Sequence, residues 1–157
     1  MLWKGCDLGE GRHAGKPGWR GGAARGKAGG MDRHAPTLEE MDALARDAIA
    51  ALPEPFRSLL DGVVLHVVDW PEEDVLRELG IEDAYDLTGL YTGRPVGEPK
   101  QTGDLPDAIH LYRRPLLDEW ADTGVGLAAL ITHVVVHEAG HHFGLSDEDM
   151  HRLEDEA

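Results

Sequence analysis

The stretch "GLAALITHVVVHEAGHHFGLSD" (126–147) decides how this chain folds. Its length and continuous apolar content suit a buried helix, yet "ITHVVVH" has the β-branched content of a strand, so propensity alone leaves the choice open. Spacing resolves it. On a helix, His141 lies about 40° round from His137 and one turn along, so both imidazoles face one point. A strand would spread them, and the helix is therefore the expected state of 126–144.

Two histidines at i and i+4, with Glu138 after the first, form an H-E-x-x-H arrangement, and each part has a chemical reason. Neutral imidazole is a good borderline ligand for Zn²⁺, and one helical turn holds two of them at the separation a tetrahedral site needs. Glu138 is offset by about 100° from His137, so its side chain can reach a metal-bound water without becoming a ligand, and can serve as general base. Gly144 allows a left-handed turn that ends the helix and lets the chain double back, bringing Asp147 toward the metal as a third, anionic ligand. Asp147 has a rival reading: Asp147 or Ser146 could instead cap the final helical segment, "DEDMHRLEDE". A histidine-bearing core helix with no metal is the plain alternative for the whole stretch.

Neighbouring residues compete for roles. His133 extends the stripe by one turn, which places it about 6 Å further along the axis. His142 points about 140° away from His137, as a residue behind the ligands or at the surface. Met150 reads as a packing residue of the last helix.

Outward from this motif, 157 residues suit about one domain with a modest core. The single cysteine, Cys6, cannot form an internal disulfide, and no long apolar run or signal-type segment is present, so a cytoplasmic location is expected. The same absence argues against a membrane role. The formal charge of −15 is unevenly spread. Residues 1–30 carry six Lys/Arg against Asp7 and Glu10, while residues 31–157 carry nine basic and 28 acidic residues, a net −19. Such a body repels nucleic acid, so a nucleic-acid role could rest only on residues 1–30. Those thirty residues also hold half of the twenty glycines and lack apolar periodicity. They are expected to form a disordered Gly/Arg-rich tail, with residues 31–157 as the domain.

Within 31–157, apolar positions from Leu38 to Leu52 recur at helical spacing, with Thr37 and Glu40 as a capping box and Pro53 as a stop. "GVVLHVVDW" (62–70) reads as a buried strand in which His66 is structural. "PEEDVLRELGI" reads as a brief helix with Pro71 in its first turn and Gly80 at its end. "LTGLYTG" (87–93) and "AIHLYR" (108–113) are strand candidates, the second ended by Pro115, with "LLDEWADTG" a helix or turn after it.

"HEAGHHFGLSD" follows H-E-x-x-H-x-x-G-x-x-D, and with "LTGLYTGRPVGEP" and "DAIHLYRRPLLDEW" upstream the chain resembles a small bacterial metallopeptidase-like family with a minimal zincin fold. The resemblance covers most of 36–153. It implies a compact α/β (α+β) domain, a small mixed sheet packed on an active-site helix, with His137, His141 and Asp147 as zinc ligands and Glu138 as the catalytic glutamate. It also implies a peptide or protein substrate paired to a sheet edge, with "DAIHLYRR" as the expected edge strand. Tyr112 or His110 would then lie near the oxyanion, although a structural role suits either residue better. Better-known metzincins have a histidine where Asp147 stands and a methionine turn further downstream. The aspartate lowers the site's charge by one and should acidify a bound water less, so weak or conditional hydrolysis is expected. The alternative function is a non-proteolytic zinc-binding module, which a fourth protein ligand such as His133 or His151 would favour.

Overall fold

A computed structural model describes residues 34–150. The expected tail at 1–30 and the end of the last helix lie outside them. Helix α1 (Leu38–Ala51) begins at the expected capping box: the Thr37 hydroxyl accepts the Glu40 N–H at 3.2 Å, and the Glu40 carboxylate accepts the Thr37 N–H at 2.7 Å. Met41, Ala45 and Ala48 repeat at helical spacing and are its buried residues. A single turn, α2 (Phe56–Leu59), follows the Pro53–Pro55 break.

Three strands form one mixed sheet in the order β1 (Val64–Val68), β3 (Ala108–Tyr112), β2 (Gly89–Thr92). β1 runs parallel to β3, and β2 antiparallel. Between β1 and β2 lie α3 (Glu73–Leu79), closed by Gly80 at φ 67°, and a 3-10 turn at Ala84–Asp86. Pro71 precedes α3 rather than occupying its first turn, because the helix is capped one residue later, at Glu72.

Two expectations need correction. β1 is an edge strand rather than a buried one. Leu65 and Val67 face the core, while Val64, His66 and Val68 are exposed, and a β-branched run reads alike in both settings. The His66 ring stacks on that of His110, 5.0 Å away on β3. Pro115 does not end a strand but sits in the first turn of α4 (Arg113–Thr123), where a missing N–H breaks no intrahelical bond. Arg113 therefore leaves the strand alternation, and its guanidinium donates to the Pro36 carbonyl and to Asp69.

Helix α5 (Leu127–His142) is the long apolar stretch, helical despite its β-branched run. Burial overrides propensity here, because Leu130, Ile131, Val134, Val135 and Ala139 all enter the main core. That core is shared with Met41, Ala45 and Ala48 of α1 and with Ile109 and Leu111 from one face of β3. Tyr112, on the opposite face of β3, joins Ile81, Leu87 and Leu90 in a smaller cluster beneath α3. The sheet thus lies between α5 on one side and α3 on the other. No helix among the described residues is long and apolar enough to cross a membrane.

Candidate metal centre

The last turn of α5 creates the site. Gly144 adopts φ 82°; its N–H bonds to the His141 carbonyl and that of Leu145 to the Gly140 carbonyl, both at 3.0 Å. This pair of reversed bonds turns the chain back along the helix, as the glycine at that position suggested. A new helical turn then starts at Asp147. Its cap is Ser146, whose hydroxyl accepts the Asp149 N–H at 3.2 Å while the Asp149 carboxylate accepts from Ser146. Of the two cap candidates, Ser146 is the one that caps this turn. With capping done by its neighbour, the Asp147 side chain turns to the histidines.

Asp147 Oδ1 lies 3.2 Å from His141 Nε2 and 3.4 Å from His137 Nε2. The two rings meet edge to face with centroids 5.1 Å apart. His141 Nε2 and Asp147 Oδ1 are buried, and their lines of approach do not make a hydrogen bond. Buried polar atoms without partners are costly, and atoms that converge on a shared point instead of on each other are what a cation requires. Among the described residues, His137, His141 and Asp147 are the one group of three or more such side chains arranged to hold a metal ion. Two histidines and a carboxylate form a donor set suited to Zn²⁺ with a fourth position open.

Protonation states fit that role. Burial pushes His137 down to about 4, helped by neighbouring His141, and burial also lowers His141. Both rings are thus neutral, as ligands must be. His141 Nδ1 lies 3.3 Å from the Leu145 carbonyl, which can only accept, so the proton sits on Nδ1 and the Nε2 lone pair faces Asp147.

Glu138 is 1% exposed and held between α5 and β2. Its Oε2 accepts the Tyr91 backbone N–H at 2.7 Å, and burial pushes its pKa up to about 8. Gly89 makes this contact possible: a Cβ there would stand 2.6 Å from Val134 Cγ1 and 3.1 Å from Glu138 Oε1. Neither Gly89 nor the Tyr91 main chain figured among the expected site residues. The signal for Gly89 was a glycine inside a strand, which marks close approach by other atoms.

Other expected residues fall elsewhere. β3 is the central strand, paired on both sides, so "DAIHLYRR" has no edge to offer a peptide; the edge strand beside Glu138 is β2. His110 and Tyr112 point to the sheet face away from α5. His142 is buried, its Nε2–H donating to the Leu59 carbonyl at 3.1 Å and its Nδ1 lying 2.9 Å from the Tyr91 hydroxyl. The His133 ring is 6.4 Å from that of His137, outside the three-residue group. Met150 packs on the helix at Gly140, where a Cβ would stand 2.3 Å from its sulfur. A cleft of about 340 Å³ opens beside His141, lined by Tyr91, Gly93, Pro95, Gly144 and Ser146.

The chain has relatives among known proteins. A solved structure of a conserved hypothetical protein from Thermo thermophilus is 28% identical to this chain, covering 69% of it and 94% of the other chain, with a TM-score of 0.48. No curated protein matches. The family model of the zincin-like metallopeptidases matches residues 60–157, a span that holds the whole His/His/Asp group, Glu138 and all three strands. The chain belongs to the zincin-like metallopeptidase family.

Proposed function

We propose that this protein is a zinc-dependent peptidase, with Zn²⁺ held by His137, His141 and Asp147 and with Glu138 as general base. The observation that carries the reading is the convergence of buried His141 Nε2 and Asp147 Oδ1, 3.2 Å apart and not hydrogen-bonded, beside His137 Nε2. Zinc bound there would supply Lewis acidity toward a peptide carbonyl and lower the pKa of a water. The chain's own groups do the rest. The two imidazoles and Asp147 fix the position, and Glu138 takes the proton of the attacking water and passes it to the leaving amine. The Tyr91 N–H orients Glu138 through Oε2. The outer edge of β2 runs beside this carboxylate and is the surface against which an extended peptide can be laid.

The acidic body, −19 over residues 31–157, favours neutral or cationic peptides at low salt. The test is metal analysis of protein purified without chelator or metal-affinity tag, beside His141→Ala, followed by a peptide-cleavage screen of wild type and Glu138→Gln. About one zinc per chain, lost in His141→Ala, with cleavage absent from Glu138→Gln, is expected. No zinc in either protein, and none taken up on addition, sinks the reading.

A second reading, a zinc module without proteolysis, draws on one observation: Glu138 is buried and already bound to Tyr91. Zinc at one per chain with no cleavage of any library peptide would select it.

A further inference from the structure

The sheet face away from α5 is only partly covered. Leu90 and Tyr112 lie beneath α3, whereas the margin along β1, where Val64, His66 and Val68 point outward, stays open. Two residues past Val68 comes Trp70, whose ring meets that of Tyr85 edge to face, with centroids 4.9 Å apart and planes at 82°. Trp70 is 40% exposed and Tyr85 46%. An edge-to-face pair uses the edge of one ring and part of the face of the other, so it leaves aromatic faces standing at nearly right angles. The backbone beside each ring is anchored: the Asp83 carboxylate accepts the Tyr85 N–H at 3.0 Å, and Asp69, next to Trp70, accepts from Arg113 at 2.9 Å. Charge around the pair is one-sided. Residues 69–86 hold eight acidic residues and one basic, Arg77, and even with Arg113 and Arg114 beside Asp69 the region carries a net −5. Arg77 pairs with Asp74, but Glu72, two positions after Trp70, and Asp86, directly after Tyr85, are exposed and make no ion pair among the described residues.

We propose that Trp70 and Tyr85 form a docking corner for a basic segment of a partner polypeptide, which seats an arginine or lysine side chain against the two rings. Neither ring belongs to the metal-ligand group or lines the cleft beside His141, so the inference stands apart from the peptidase reading. Charge complementarity selects the occupant. A purely apolar partner would cover the rings but also shield the unpaired carboxylates beside them from water, which is costly. A cation is drawn both by the ring faces and by Glu72 and Asp86, and its aliphatic stem can cover the exposed Val68. Nucleic acid and anionic membrane are repelled by the same charges, and a second copy of this chain would bring an equally acidic surface. Rings held in place before binding lose little freedom on docking, so the contact keeps most of its strength.

The test uses full-length protein at about 0.15 M salt, where loose attraction between exposed charges is largely screened. The probes are two fluorescein-labelled octapeptides, one of glycine alternating with arginine and one of glycine alternating with glutamate. Fluorescence anisotropy should show saturable binding of the arginine peptide alone. Trp70→Ala and Tyr85→Ala should each raise its Kd about three- to thirtyfold, the loss of one cation–ring contact, while Tyr85→Phe, which keeps the ring, binds as the wild type does. Glu72→Gln with Asp86→Asn touches neither ring and should also weaken binding, more than the distant pair Asp47→Asn with Asp61→Asn, although both pairs remove two charges. Binding unchanged in Trp70→Ala and Tyr85→Ala, or weakened equally by the near and distant pairs, makes the attraction one of net charge and overturns the docking corner. Equal affinity of the wild type for the two peptides overturns it as well. If the wild type bound neither peptide, but replacing the six Lys/Arg of residues 1–30 by Gln uncovered binding that depends on Trp70, the chain's own first residues would be the occupant and the separate partner would fall.

Discussion

The carboxylate of Glu138 on α5 accepts a 2.7 Å hydrogen bond from the backbone N–H of Tyr91 on β2, 47 positions earlier in the chain. This bond ties the proposed base to the strand beside it, and burial there lifts the carboxyl pKa from 4.5 to about 8. Below about pH 4.5 the group is protonated in both folded and unfolded chains, so stability is unaffected. In the metal-free protein, between about 4.5 and 8 the unfolded chain ionises while the folded one holds its proton, so stability falls as pH rises, by up to about 1.4 kcal/mol per unit; a cation at the neighbouring ligands would favour the carboxylate that a base requires. Glu138→Gln mimics the protonated form. In metal-free protein, the melting temperature of wild type should drop relative to Glu138→Gln between pH 5 and 8.5, as thermal unfolding would show. Parallel curves for the two proteins would mean that Glu138 ionises freely in the fold.

Gly89 sets how closely β2 approaches α5. A methyl group there would stand 2.6 Å from Val134 Cγ1, the end of a stiff β-branched side chain buried in the core. Gly89→Ala is therefore expected to cost about 1–3 kcal/mol by overpacking, measured by denaturant unfolding. It should also lengthen the Tyr91–Glu138 bond, so that kcat falls more than the folded fraction does while zinc content is unchanged. A variant with wild-type kcat would show that the position of β2 does not matter to the base.

Much of this arrangement was legible because it is local. The i, i+4 spacing of His137 and His141 specifies a helix, and Thr37 with Glu40 specifies where α1 starts. Gly144 marks the turn that brings Asp147 back. Features set by tertiary pairing were not legible. β1 and β3 are both short apolar runs, and nothing in either says that β3 takes the centre and β1 an edge. Ser146 and Asp147 are equally good cap formers, so only the folded chain separates the capping residue from the one facing the histidines. The Tyr91 contribution is a main-chain N–H, which carries no side-chain signature at all.

The Gly144 turn should couple stability to metal affinity. At φ 82° an alanine is strained by about 1–2 kcal/mol, and relaxing that strain moves Leu145, whose carbonyl fixes the His141 tautomer, together with Asp147. Gly144→Ala should lose that stability and also bind zinc at least tenfold more weakly in a competition titration with a chromogenic chelator. Gly124→Ala carries similar strain at φ 68°, at the end of α4. It should lose stability alone. Equal zinc affinities in the two variants would separate the turn from the site.

Ser146 and Asp147 are adjacent, yet the structure divides their work, and substitution should divide it too. Ser146→Ala removes the acceptor for the Asp149 N–H and the donor to its carboxylate, a loss of about 1 kcal/mol on unfolding, with zinc retained. Asp147→Ala leaves that cap intact and removes the oxygen that faces both Nε2 atoms. Metal-free Asp147→Ala should therefore unfold close to wild type, because what Asp147 Oδ1 loses is contact with two imidazoles that burial keeps neutral. Its zinc content after dialysis should fall well below one per chain. Asp147→His restores a third ligand of the metzincin kind and should recover zinc, which side-by-side elemental analysis of the three variants would register. If Ser146→Ala lost the metal and Asp147→Ala kept it, the two roles would have to be exchanged, and the carboxylate facing His137 and His141 would be a cap without a cation to hold.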